Sequence, residues 1–252
     1  MKRLLSLTLL LAAALPALAD SHDKNRVYEL RTYFANKGKL DALHARFRDH
    51  TCAIFEKHGI KNVAYWVPVD NKDNKLVYIV SYPSREAREK SWKAFLADSA
   101  WTTAYRASTK DGALVAKVVA QFFKPTAYSP KLKIEAGDSA RLFELRTYTT
   151  NEGKLADLNK RFRDHTCSLF AKQGMTNILY LDLMKDQKGA GAVLTYVIAH
   201  KDGEARNASW AAFRKDPAWQ AARKASEEKG PILVKGGVKS ELLRPIDYSP
   251  MK

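Results

Sequence analysis

The sequence predicts an α+β chain of two tandem β-α-β-β-α-β units whose antiparallel sheets face each other, with the helices outward. Three observations carry this reading. The motif Glu-Leu-Arg-Thr-Tyr occurs twice, at Glu29–Tyr33 and Glu144–Tyr148, an offset of 115 residues. The match extends beyond the motif: Gly38 aligns with Gly153, Leu40 with Leu155, and Arg46-Phe-Arg-Asp-His-Thr-Cys52 recurs over 161–167. Finally, strand-like and helix-like apolar periods follow one another in the same order in each copy. The offset grows to 118, pairing Trp92 with Trp210 and Trp101 with Trp219, and then to 120, pairing Pro125 with Pro245 and Tyr128 with Tyr248.

The elements follow in order. Residues 1–19 read as a signal peptide. Lys2 and Arg3 form a basic start, 4–15 an apolar core, and Ala17-Leu18-Ala19 a small-x-small cleavage site. The apolar run is too short to suit a membrane span, and no later segment supplies one. An exported, periplasmic or secreted chain is therefore expected, with a disordered stretch over 20–26, one domain over 27–128, a linker over 129–141 and a second domain over 142–252. Val27–Tyr33 alternates and is rich in β-formers. A helix from about 38 to 58 places Leu40, Leu43, Phe47, Ile54 and Phe55 on one stripe, and Gly59 stops it. Strands over 62–69 and 76–82 enclose a polar turn. Ser84, and Asp202 in the second copy, cap the next helix, which carries Trp92 or Trp210. A short helix follows, opened in copy two by Asp216-Pro217. The last strands are expected at 114–123 and 232–243, with Gly236-Gly237 breaking the second. This is the ferredoxin-like order. Its uncovered sheet face must be buried, and a second copy in the same chain can bury it.

The formal charge is +16, or +14 once Lys2 and Arg3 are removed (16 − 2). Such a balance favours anionic partners, an anionic envelope surface among them. The basic residues are dispersed, and no zinc-finger, RNP or helix-turn-helix pattern occurs, so nucleic acid is not an expected partner.

Glu-Leu-Arg-Thr-Tyr, Gly-x-Leu, a histidine in the first helix, a Trp-bearing second helix and Asp-Pro-x-Trp together resemble the NIPSNAP family. The resemblance covers about 27–128 and 142–248. Asp98-Ser99-Ala100-Trp101 departs from Asp-Pro-x-Trp, which bears only on capping. The resemblance implies an intramolecular dimeric α+β barrel. The relatives of that group include cofactor-independent monooxygenases, haem-degrading enzymes and small lyases.

The candidate ligand-binding residues are Glu29, Arg31, Tyr33 and His50, with Glu144, Arg146, Tyr148 and His165. With Tyr28, Leu30 and Thr32 taken to face the helices, Glu29, Arg31 and Tyr33 are expected in the barrel lumen, and their copies likewise. There they would either neutralise one another or line a polar pocket for an anionic or phenolic ligand. His50 and His165 fall at the shoulder of the apolar stripe. No metal-ligand spacing, phosphate loop or nucleophile elbow is present, so neither a metal nor a cofactor is expected. Cys52 and Cys167 are equivalent in the two copies and are expected to be free thiols.

The leading functional expectation is binding of a small anionic or aromatic ligand, or of a protein partner. The alternatives are a lumen-based cofactor-independent oxygenase or lyase, and an envelope-interaction protein. The pair of domains is expected to form an intramolecular pseudo-dimer, with higher oligomers open.

Overall fold

The computed structural model describes residues 25–134, 136 and 141–252. The expected signal peptide and most of the stretch over 20–26 lie outside the described residues. The first copy contains β1 (Val27–Ala35), α1 (Leu40–Arg46), a π-helical segment (Phe47–Thr51), α2 (Cys52–Lys57), β2 (Lys61–Pro68), β3 (Lys75–Tyr82), α3 (Arg85–Ala97), α4 (Ser99–Thr109) and β4 (Val115–Pro125). The second repeats it as β5 (Leu142–Thr150), α5 (Leu155–Arg161), a π-helical segment (Phe162–Thr166), α6 (Cys167–Lys172), β6 (Thr176–Leu183), β7 (Val193–His200), α7 (Gly203–Lys215), α8 (Pro217–Ser226) and β8 (Leu233–Pro245).

The eight strands close into one antiparallel barrel in the order β1-β3-β2-β8-β5-β7-β6-β4. Within each copy the first and third strands are central, as the ferredoxin-like order requires. The copies join through β2–β8, with Val67 opposite Arg244, and through β4–β6, with Lys124 opposite Asp182. The segment after each last strand then crosses to the other copy. Tyr128 donates to Asn159 Oδ1 at 2.8 Å and Tyr180 N–H to Ser129 Oγ at 3.0 Å. Reciprocally, Tyr65 N–H donates to Ser249 Oγ at 2.9 Å, and Tyr248 Oη meets His44 Nδ1 at 3.0 Å.

Local sequence explains most element ends. Ser84 Oγ accepts from Ala87 N–H at 3.1 Å and Asp202 Oδ1 from Ala205 N–H at 2.8 Å. Gly59, at φ +74°, ends α2, with Ile60 N–H returning to Phe55 O at 2.9 Å. Two expectations are corrected. Gly236-Gly237 does not break the last strand, because β8 runs through it with Gly236 at φ +72°. The first helix is not a plain α-helix either. Cys52 N–H bonds to Phe47 O, five residues back, and Cys167 N–H does the same to Phe162 O. Leu43, Phe47, Thr51 and Phe55 are consequently all buried. A spacing of four drifts around a 3.6-residue turn, and the wider π turn holds it on one face.

The faces of the central strands are the reverse of the expectation. Tyr28 and Leu30 point into the barrel, where they pack with Trp66, Ile79, Phe143, Leu181 and Leu243 from both copies. Each such buried side chain contributes about 1.5–3 kcal/mol. Glu29, Arg31 and Tyr33 lie instead under the helices, and Glu144, Arg146 and Tyr148 do so in copy two. Both faces of a central strand are covered here, so an apolar neighbour does not reveal which cover it meets. Partners decided the outcome. The interior cluster is apolar, whereas α3 and α7 supply guanidinium and indole donors for the carboxylates.

Candidate functional site

In each copy the Glu-x-Arg-x-Tyr face of the first strand sits at the base of a cleft between sheet and helices. Strand alternation aligns the three side chains, and the helix above completes the network. Glu144 is fully buried. It accepts from Arg146 Nη1, from Arg206 Nε at 2.8 Å and Nη2 at 3.1 Å, and from Trp210 Nε1 at 2.9 Å. Ser240 Oγ at 2.6 Å and His200 Nε2 at 3.2 Å complete the set. Arg146 also donates to Tyr148 Oη at 3.1 Å and lies 4.4 Å from the centroid of Trp210.

Burial alone would raise the Glu144 pKa, but the hydrogen bonds from His200, Arg206, Ser240 and Trp210 hold it well below the usual carboxylate range. Burial opposes the Arg146 charge in turn, yet Tyr196, Tyr148 and Glu144 raise its pKa above the ordinary value. Glu144 is therefore a fixed anion that organises guanidinium groups, and it is not poised to take up a proton near neutrality.

Copy one has the same plan with different detail. Glu29 accepts from Arg31 Nη1, from Tyr82 Oη at 2.9 Å, and from Arg88 at 3.2 and 3.3 Å. Tyr82 stands where copy two has His200, so Trp92 Nε1 donates to the phenol at 2.6 Å and not to the carboxylate.

The clefts above these networks differ. The copy-two cleft holds about 650 Å3. Five arginines line it (Arg146, Arg161, Arg206, Arg214 and Arg223), with six aromatic residues including Tyr148, Trp210 and Trp219. Against them stand Glu227, which pairs with Arg161 at 3.1 Å and Arg223 at 3.2 Å, and the buried Glu144. The Arg214 side chain has no hydrogen-bond or ion-pair partner among the described residues. The copy-one cleft is smaller, about 300 Å3, with Leu96 and Tyr105 in the places of Arg214 and Arg223.

Six of the eight sequence candidates thus assemble into two equivalent networks, displaced from the expected lumen. His50 and His165 do not join them. They are exposed on the π segments, because the wider turn rotates them away from the apolar stripe. The sequence reading missed Arg88 and Arg206, although each lies four residues before the matched tryptophan. That spacing puts guanidinium and indole on one helix face. It also missed Arg46 and Arg161, for which the only signal was their recurrence in both copies.

Among the described residues no group of His, Cys, Asp or Glu could hold a metal ion, and no helix is long and apolar enough to cross a membrane. Cys52 and Cys167 are free, as expected, and burial pushes their thiols up to about 12 and about 11.

A closed barrel built from two α+β repeats, with a charged-aromatic cleft under each helical layer, defines a single-chain counterpart of the dimeric α+β barrels. The family model for NIPSNAP matches residues 28–130 and 143–250, and the chain belongs to that family. Solved structures agree on the fold. A proposed monooxygenase from Lactobacillus acidophilus NCFM covers 88% of this chain and 94% of its own, with TM-score 0.58 and 8% identity. An anthrone oxidase-like protein covers 92% and 96%, with TM-score 0.56 and 15% identity. An uncharacterised NIPSNAP-like domain protein from Burkholderia xenovorans matches 44% of this chain and 93% of its own, with TM-score 0.39 and 19% identity. At these identities the first two likenesses establish architecture alone. No curated protein matches the chain.

Proposed function

We propose that this NIPSNAP-family protein is an exported binding protein whose copy-two cleft holds a small organic anion with a planar, aromatic body. The observation that carries the reading is the lining of that cleft. Five arginines and six aromatic residues line about 650 Å3; among the described residues Glu227 is the one acid in that lining, and Glu144 is buried beneath it. The volume suits a ligand of more than one ring. Arg214 and Arg223 at the mouth supply charge, while the partly exposed rings of Tyr148 and Trp219 supply aromatic surface. Export is supported by Lys2, Arg3, the apolar run and Ala17-Leu18-Ala19. The same basic excess supports approach to an anionic envelope surface.

Cofactor-independent oxygenase or lyase chemistry is the alternative, and it would have to use this cleft, because apolar side chains fill the barrel interior. Its support is the names of fold neighbours. Against it, hydrogen bonds hold Glu144 as an anion well below the usual carboxylate range, which makes it a weak base. Calorimetry with 1-naphthoate and with neutral 1-naphthalenemethanol separates charge recognition from stacking. The acid should bind more tightly, and Arg214→Met/Arg223→Met should weaken it by about tenfold or more with little change in stability. Equal binding of acid and alcohol, or an unchanged affinity in the variant, would refute the proposal.

A further inference from the structure

We infer that the copy-one cleft is a second, independent binding site, for a small monocarboxylate on an apolar body, and that Arg46 is its anchor. The inference does not rest on the copy-two reading. It starts from a buried charge that lacks a counter-ion. Arg46 is only 6% exposed and lines the cleft. Its Nη1 donates to Ser108 Oγ at 3.2 Å, its Nε has no hydrogen-bond partner, and no carboxylate pairs with it among the described residues. Among the described residues no acidic residue lines this cleft. A buried guanidinium without a counter-ion is costly, and the rings of Trp101 and Tyr105, 5.3 and 5.4 Å away, offset only part of that cost.

The other half of the molecule shows what is missing. Arg161 occupies the equivalent position, makes the equivalent bond to Ser226 at 3.1 Å, and stacks on Trp219 at 5.2 Å. It also donates from Nη1 to Glu227 Oε1 at 3.1 Å, and the other oxygen of Glu227 accepts from Arg223 Nε at 3.2 Å. At the offset of 118 that relates Ser108 to Ser226, Glu227 corresponds to Thr109 and Arg223 to Tyr105. Copy one therefore lacks both the carboxylate and its outer cation, and it has the inner arginine beside an open cleft. Glu227 marks the seat that a ligand carboxylate would take against Arg46. Leu96, Tyr105 and Val118, all more than one-third exposed, form an apolar approach to that seat. About 300 Å3 is at the lower end of ligand pockets and suits a single ring or a short alkyl chain.

The test uses the full chain carrying Arg214→Met/Arg223→Met, so that copy-two binding is suppressed, with benzoate as the probe in calorimetry. One equivalent of benzoate should bind, and benzyl alcohol should bind at least about tenfold more weakly. Arg46→Gln should abolish benzoate binding. Thr109→Glu installs the internal carboxylate. It should also abolish binding while raising the melting temperature, so it remains informative if Arg46→Gln fails to fold. Absence of benzoate binding, or an affinity that survives Thr109→Glu and a folded Arg46→Gln, overturns the inference. If Arg214→Met/Arg223→Met leaves 1-naphthoate binding intact but Arg46→Gln removes benzoate binding, the copy-two proposal fails and this one stands.

Discussion

Replacing Glu144 by Gln removes one negative charge from a site that is closed to solvent and faces two guanidinium groups. The fold barely changes in volume, so the effect is electrostatic. Arg146 and Arg206 both donate to that carboxylate, and in the variant both stay buried or half-buried without their counter-ion. Breaking a buried pair from one side costs about 3–5 kcal/mol. For a chain of this size that corresponds to roughly 6–20 °C in melting temperature, at about 2–4 °C per kcal/mol. The pH dependence follows from the direction of the Glu144 shift. Its folded pKa lies below the unfolded value, which is about 4.3. The stabilisation is then complete above the unfolded pKa and declines as pH falls from there towards the folded pKa. Calorimetric melting of both proteins between pH 3 and pH 7 should show a gap that is widest at pH 7 and narrows in acid. A gap below about 1 kcal/mol at pH 7, or one constant with pH, would refute the assignment of Glu144 as the anion that organises the cleft.

Two further outcomes test the architecture. A chain ending at residue 134 retains β1–β4 but exposes Trp66, Ile79 and Phe123, so it should pair with a second copy. Light scattering should report a dimer, and a folded, stable monomer would contradict the shared interior. Cys52 and Cys167, with thiols pushed up to about 12 and about 11, should react with a thiol reagent at pH 8 at least about tenfold more slowly in the native protein than in urea. Comparable rates would show that the helix containing the π segment opens readily.

What the sequence alone determined was connectivity and pairing. The matched Glu-Leu-Arg-Thr-Tyr motifs, the two helical stripes and the capping residues Ser84, Asp202 and Asp216 define two equivalent units. They also place Glu, Arg and Tyr on one face of each central strand, because alternation is a local property of extended backbone. Which face was not local. Leu30 and Arg31 each meet a buried environment, and only the closed barrel showed that one environment is apolar while the other carries Arg88, Tyr82 and Trp92. The exposure of His50 and His165 was likewise hidden, because a helical phase computed at 3.6 residues per turn fails across a π turn. The divergence of the two clefts was written in the sequence as Thr109 against Glu227 and Tyr105 against Arg223. It acquired meaning only when the tertiary structure brought those positions against Arg46 and Arg161, since a charge is unpaired by virtue of its neighbours in space and not of its neighbours along the chain.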